Sequence, residues 1–384
     1  MDYQSYILPH IWNLKPYSSA RDEFKGNEGV FLDANENPIG SGSQIASWNR
    51  YPDPMQHQIK AQLAKIKGCE ENQIFLGNGS DEAIDLLMRM SCAADNHNII
   101  ICPPTYGMYE VSASINNIAI QRINLTAEYQ LDVPAILSAI NSETRLLFIC
   151  SPNNPTGNKL NRDDIYQLLN NYKTGFVIID EAYIDFSDEP SFIGELAQYP
   201  HLIVMQTLSK AYGLASLRLG MAYANPTIIA LLNKIKPPYN IGGATQQIVS
   251  QALADTEFVK NGIELILSEK KRLISELKKI PQVQHVYPSH ANFLLVKLQS
   301  AQALFDYLIT EKVITRNRSS VPLCEDTIRI TVGLPTENSM LLERLNRFTY
   351  EKPYHTNYTE FRFIAFESID LWSIKGLGGR IQNR

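Results

Sequence analysis

The sequence predicts an α/β fold of three layers, a mostly parallel sheet with helices on both faces, joined to a smaller α+β domain. Three observations predict it. Between about residues 74 and 225, short β-rich runs alternate with longer helical patterns. Several of those runs are apolar at successive positions, the pattern of strands buried on both faces. After Pro237-Pro238 the alternation gives way to long helices and a few strands. Repeated strand–helix–strand units build a parallel sheet covered on both sides.

The first fifty residues hold no long periodic segment and read as an arm that joins the small domain. The strands expected next are Gln73–Leu76, Asn98–Cys102, Ala119–Ile123, Arg145–Cys150, Phe176–Ile179, Leu202–Gln206 and Leu219–Ala224. Helices are expected between them at Asp81–Met90, Tyr106–Ser114, Val133–Ile140, Arg162–Asn170 and Phe192–Gln198. Two further helices, Ala244–Thr256 and Glu257–Lys279, lead to the strand Ala291–Lys297, the helix Ala301–Thr310 and the strand Ile328–Val332. This organisation gives an arm over residues 1–50, a large domain over 51–256, a small domain over 257–350 and a tail over 351–384. The tail ends in Lys375-Gly376-Leu377-Gly378-Gly379-Arg380, and no role follows from it.

Composition narrows the function classes. The 384 residues carry a formal net charge of −5, which gives no basic patch for nucleic acid or an anionic membrane. Hydrophobic content of 44% and charged content of 20% are those of a globular chain with a large core. The five cysteines (Cys69, Cys92, Cys102, Cys150, Cys324) form no C-x-x-C pair, and no H-E-x-x-H occurs, so no metal site is expected. No apolar stretch approaches the roughly 18 residues of a membrane span. Met1-Asp2-Tyr3 opens without a basic or apolar leader. A soluble protein of the reducing cytoplasm is expected.

Four segments carry candidate chemistry. Ser209-Lys210 follows a buried-type strand, and a lysine held there in a dry cleft loses its proton easily and attacks carbonyl carbons. The run Val177-Ile178-Ile179-Asp180 delivers an acid at a strand's carboxyl end, where open α/β sheets place ligand groups; a metal ligand or a helix cap uses the same position. Ser151-Pro152-Asn153-Asn154-Pro155-Thr156-Gly157 is a stiffened turn presenting amides at the sheet edge. Gly77-Asn78-Gly79-Ser80-Asp81-Glu82 opens a helix, either as an anion-binding start or as an ordinary Ser-capped one. Arg218 lies eight residues after Lys210, and Arg316 and Arg329 stand thirteen apart. Guanidinium groups suit carboxylate or phosphate, although Arg329 alternates with apolar residues as a solvent-facing strand residue also does.

Taken together these segments resemble the fold type I enzymes that use pyridoxal 5′-phosphate, within the aminotransferase class I/II family. The resemblance also takes in Leu14-Lys15-Pro16-Tyr17, Leu32-Asp33-Ala34-Asn35-Glu36-Asn37-Pro38, Arg50-Tyr51-Pro52-Asp53, Pro103-Pro104-Thr105-Tyr106-Gly107-Met108-Tyr109, Asp180-Glu181-Ala182-Tyr183 and Ala291-Asn292-Phe293. It runs in order from roughly Asn13 to Phe348.

The resemblance implies roles residue by residue. Lys210 would hold the cofactor covalently and carry protons, Asp180 would face the pyridine nitrogen, and Tyr183 and Asn154 would bond the ring oxygen. Tyr106 would stack on the ring. Ser80, Asp81, Ser209 and Arg218 would bind the cofactor phosphate, with Tyr51 arriving from the other subunit of a homodimer. Arg329, assisted by Arg316, would take the substrate's carboxylate or phosphate, beside Tyr17 and Asn35. The implied reaction is amino-group exchange between L-histidinol phosphate and 2-oxoglutarate, giving imidazole-acetol phosphate and glutamate in histidine biosynthesis. An aromatic-amino-acid aminotransferase or a threonine-phosphate decarboxylase would share Lys210, Asp180 and Arg218.

Overall fold

The computed structural model describes residues 2–16, 32, 34–42 and 48–350. The large sheet contains β1 (Ile74–Asn78), β2 (Asn98–Ile101), β3 (Ala119–Arg122), β4 (Thr144–Cys150), β5 (Phe176–Asp180), β6 (Leu202–Thr207) and β7 (Leu219–Ala224). Their order is β1-β7-β6-β5-β4-β2-β3. Strands β3, β2, β4, β5 and β6 pair in parallel, whereas β7 runs antiparallel to both β6 and β1. The expected mostly parallel sheet is therefore present, with one reversed strand inside it.

The helices before the small domain are α1 (Pro9–Trp12), α2 (His57–Lys67), α3 (Ser80–Ser91), α4 (Met108–Ile115), α5 (Val133–Ala139), α6 (Arg162–Asn171), α7 (Pro226–Ile235), α8 (Gly243–Ala254) and α9 (Thr256–Leu277). Successive strand residues point to opposite faces, so an uninterrupted apolar run feeds two cores. Val177 and Ile179 pack with Ile59, Ile165, Leu168 and Val249 from α2, α6 and α8. Ile178, between them, packs with Ile84, Leu87, Tyr109 and Ile228 from α3, α4 and α7. Each such side chain contributes about 1.5–3 kcal/mol of burial, which holds the sheet between two helical layers.

The small sheet contains β8 (Val283–Val286), β9 (Phe293–Leu298), β10 (Arg316–Asn317) and β11 (Thr327–Thr331), ordered β10-β11-β9-β8 and antiparallel throughout. One face is covered by α9, α10 (Ala301–Thr310) and α11 (Pro335–Arg347): Leu294, Val296, Ile328 and Ile330 pack with Leu273, Leu304, Leu308, Leu341 and Leu345. The other face turns to the large domain. There Leu295 joins the large domain's core, and Phe293 meets Tyr183 edge-on with ring centroids 5.1 Å apart.

Several elements differ from expectation. Helices α2, α7 and α11 and strand β8 lie where no regular element was expected. The stretch expected as a helix over Phe192–Gln198 forms only a 3₁₀ turn, Phe192–Glu195. Gly194 within it weakens a helix. Helix α4 starts at Met108, leaving Tyr106 in the preceding loop. Asp255 separates α8 from α9, and its carboxylate caps α9 by accepting from Phe258 N at 3.1 Å. Residues 2–16, within the stretch expected to join the small domain, pack instead on the large sheet. Ile7 is buried against the α3 layer, and Leu8 N donates to Met90 O at 3.0 Å. The tail over 351–384 lies outside the described residues. Among the described residues, no helix is long and apolar enough to cross a membrane.

Candidate active site

The sheet topology assembles the site. Strands β1, β2, β4, β5 and β6 end at one edge, and the register sets Cys150 beside Asp180 and Asp180 beside Met205. Lys210 follows β6 by three residues. Because β7 is reversed, its beginning lies at that same edge: Asn78 at the end of β1 pairs with Leu219 at the start of β7. Arg218 is thus placed beside the start of α3, where Gly79 N donates to Arg218 O at 2.7 Å. The carboxyl edge of a parallel sheet is where such folds bind ligands.

Asp180 is 3% exposed. Its carboxylate accepts from Tyr109 Oη at 2.6 Å and from Ala182 N at 3.0 Å. Burial raises its pKa, and the two hydrogen bonds oppose that rise by favouring the ionised form. No lysine or arginine forms an ion pair with it among the described residues. Tyr109 is itself fully buried, stacked on Phe148 at 4.7 Å and edge-on to Tyr106 at 5.6 Å.

Lys210 is partly buried, with Nζ 5.4 Å from the centroid of the Tyr183 ring. Its pKa is lowered by desolvation first, then by Arg329 and Arg218, against the pull of Asp180 and Asp81. Its Nζ makes no hydrogen bond or ion pair among the described residues. Burial likewise pushes the Tyr183 phenol up, while Arg329 and Arg318 pull it down.

At the other end of the edge, α3 starts on Gly79, whose φ of +75° and missing side chain leave the first amides open. A Cβ on Gly79 would stand 2.6 Å from Arg218 Nη2, and one on Gly220 would stand 2.1 Å from Ser80 N. Gly220 is required by this close approach to backbone, and Gly79 by its positive φ. Arg218 pairs with Asp81 at 3.3 Å, Tyr106 Oη donates to Asp81 at 3.1 Å, and Ser209 Oγ accepts from Thr207 Oγ1 at 3.0 Å. A helix start with free N–H groups and a guanidinium beside it has the donors that an anion needs.

The small domain closes the third side. Arg329 Nη1 donates to Asn154 Oδ1 at 2.6 Å and its guanidinium carbon lies 5.3 Å from the centroid of the Phe293 ring. Asn154 is 6% exposed, held by the 151–157 turn, which Asn153 ties to Pro104 O at 2.9 Å.

The structure thus gathers Lys210, Asp180, Tyr183, Asn154, Tyr106, Ser80, Asp81, Ser209, Arg218 and Arg329 along one edge of the large sheet and the small-domain face against it. Arg316 pairs in register with Arg329 but is exposed. Tyr51 stacks on Tyr239 at 4.5 Å, and no hydrogen bond among the described residues joins it to Ser80, Asp81, Ser209 or Arg218. Asn35 is exposed, with a φ of 54°, and Tyr17 lies outside the described residues. Two side chains were not singled out from the sequence. Tyr109, three residues after Tyr106, carried a signal in that spacing; Arg318, two residues after Arg316, carried one in the strand period.

Residues 30–345 match the pattern of the family described as Aminotransferase class I and II. The histidinol-phosphate aminotransferase of Parabacteroides distasonis is 49% identical over 344 residues, covering 90% of this chain and 98% of that protein. The solved structure of the histidinol-phosphate aminotransferase from Clostridium acetobutylicum superposes with a TM-score of 0.72 at 27% identity, covering 78% of this chain and 90% of that one. The enzyme of the same name from Sinorhizobium meliloti, in complex with pyridoxal-5′-phosphate, superposes with a TM-score of 0.72 at 23% identity, covering 82% of this chain and 89% of that one. The likeness extends from the arginine-bearing small sheet to the lysine-bearing edge of the large one, and the chain belongs to the aminotransferase class I and II family.

Proposed function

We propose that this chain transfers the amino group of L-histidinol phosphate to 2-oxoglutarate, giving imidazole-acetol phosphate and L-glutamate in histidine biosynthesis, with pyridoxal phosphate as cofactor. One observation carries the reading: a desolvated Lys210 and a buried Asp180, neither with an ion-pair partner among the described residues, stand at the same strand edge.

The residues fit that cofactor. A buried carboxylate without an ion-pair partner among the described residues suits a protonated pyridine nitrogen, and the open start of α3 beside Arg218 suits a phosphate. Lys210, Asp180, Tyr183, Asn154, Tyr106, Ser80, Asp81, Ser209 and Arg218 would hold it. When bound, pyridoxal phosphate supplies an electron sink that lets a proton leave the carbon bearing the amine.

The chain's own residues do the rest. Lys210 Nζ takes that proton as general base and returns it as general acid, which requires a neutral amine near pH 7. Desolvation and the charges of Arg329 and Arg218 push it that way. Tyr109 and Ala182 bond the ionised form of Asp180 and oppose the rise in its pKa that burial causes. Arg329, anchored by Asn154, binds the anionic end of either substrate, with Arg316, Tyr17 and Asn35 as the further substrate-binding residues of the proposal. One pocket serving two substrates in turn gives ping-pong kinetics.

The exposed Tyr51 supports a homodimer in which it reaches the partner's cofactor phosphate, and the five free thiols, four of them buried, support a cytoplasmic setting. The deciding assay compares histidinol phosphate with phenylalanine as amino donor to 2-oxoglutarate. A higher kcat/KM for histidinol phosphate is expected; a clear preference for phenylalanine overturns the substrate assignment.

A further inference from the structure

Arg318 has no part in the site as described, yet it shares a sheet face with two residues that do. Arg316 sits opposite Arg329 in the β10–β11 register, and Arg318 N continues the ladder by donating to Thr327 O at 2.9 Å. Side chains two apart on a strand point the same way. Arg316, Arg318 and Arg329 therefore lie on one face. Ile328 and Ile330, of the opposite parity, are in the small-domain core. The arginine face is the one that meets Asn154 and Phe293 through Arg329.

None of the three has a carboxylate partner among the described residues. Arg329 bonds the neutral Asn154 amide oxygen, and Arg318 Nε is buried with no hydrogen-bond partner among the described residues. Burial pulls the Arg318 pKa down to about 10, with Arg329 and Arg316 adding to the effect. An arginine serving only the fold is ordinarily exposed or paired, because an unpaired buried charge costs stability. Three mutually repelling guanidinium groups on one face await an anion.

The size of that anion follows from its oxygens. A carboxylate carries one charge and two oxygens, which one bidentate guanidinium satisfies. A phosphate monoester carries about −1.5 to −2 charge at neutral pH and three terminal oxygens. Three arginines match the second.

We propose that Arg318 is a specificity-determining residue that contacts the substrate's phosphate group together with Arg316 and Arg329, favouring a phosphorylated amine over the dicarboxylic amino acid that enters the same pocket. It rests on the phosphorylated substrate proposed above.

The test measures the two half-reactions separately in the holoenzyme, following cofactor absorbance with L-histidinol phosphate and then with L-glutamate, for wild type, Arg318→Gln and Arg318→Lys. Arg318→Gln is expected to weaken half-saturation by histidinol phosphate roughly 10-fold or more, as loss of a charge-assisted contact does, with the limiting rate and the glutamate half-saturation unchanged within about 2-fold. Inorganic phosphate should compete with glutamate in wild type and lose potency in parallel in Arg318→Gln. Arg318→Lys, which keeps the charge, should recover part of the histidinol phosphate affinity. Equal weakening for both substrates, no weakening for histidinol phosphate, or a fall in limiting rate alone overturns the proposal. Should wild type itself ignore histidinol phosphate, the substrate reading fails instead, and the inorganic phosphate arm still judges Arg318. Should Arg318→Gln fail to fold, Arg318→Lys decides: glutamate and histidinol phosphate affected alike overturns the role.

Discussion

Tyr109 donates its phenolic hydrogen to the Asp180 carboxylate across 2.6 Å, and the two residues are 0% and 3% exposed. The acid expected to face the cofactor thus has its charged form favoured, in a place where burial raises its pKa, by a tyrosine on a different layer of the fold.

Replacing that tyrosine isolates the effect. In Tyr109→Phe the ring keeps its stack on Phe148, but Asp180 loses a bond to its charged form and its pKa rises further. A hydrogen bond to a charged group is worth about 1.5–3 kcal/mol, so affinity for pyridoxal phosphate should fall by roughly 10-fold or more. Absorbance titration of the cofactor-free variant measures it; unchanged affinity contradicts the role of Tyr109.

Lys210→Ala should abolish turnover while leaving the thermal unfolding midpoint within a few degrees of wild type. Its removal relieves a desolvated charge and breaks no hydrogen bond among the described residues. Measurable turnover at the wild-type rate would sink the general-base assignment.

Gly220→Ala should destabilise the chain by roughly 2–3 kcal/mol, near the upper end for overpacking. The added methyl would meet backbone, 2.1 Å from Ser80 N and 2.3 Å from Gly79 C, where no side chain can rotate away. Since the displaced atoms belong to the proposed phosphate site, phosphate affinity should fall along with the unfolding midpoint. A loss of stability alone, with phosphate binding intact, would separate the two.

Lys60 carries a pH signature outside the cleft. It is 5% exposed, and burial, helped by Lys236, pulls its pKa from 10.5 to about 8. Between those values the unfolded chain binds the proton that the folded chain has released. Stability therefore rises with pH across that window, by roughly 3 kcal/mol at most. Below about pH 8 the penalty is fully present. Denaturant unfolding of the chain at pH 7.5 and 10 should show the rise, and Lys60→Met should flatten it; an unchanged slope in the variant refutes the assignment.

Asn154→Ala should free Arg329 from its anchor. The expected result is a roughly 10-fold higher KM for glutamate with a smaller change in kcat, because an oriented guanidinium is lost while the charge stays. Initial-rate measurements in both directions check this.

The chain of residues itself determined the alternating architecture and most of the cleft. Uninterrupted apolar runs such as Val177-Ile178-Ile179 demand a sheet covered on both faces, and the chemistry-bearing residues follow such runs at their carboxyl ends. The patterns were weaker in α2, whose buried positions include Lys60, and in α7, whose ten largely apolar residues fit a strand as well as a helix. Tertiary structure decided what no local pattern encodes. Reversal of β7 brings Arg218 to the start of α3, and packing of α4 under the sheet carries the Tyr109 hydroxyl to Asp180. The β10–β11 register turns three arginines onto one face. Hydrophobic periodicity is a local property that fixes which face of an element is buried; pairing between strands distant in sequence settles which side chains then meet, and catalysis depends on those meetings.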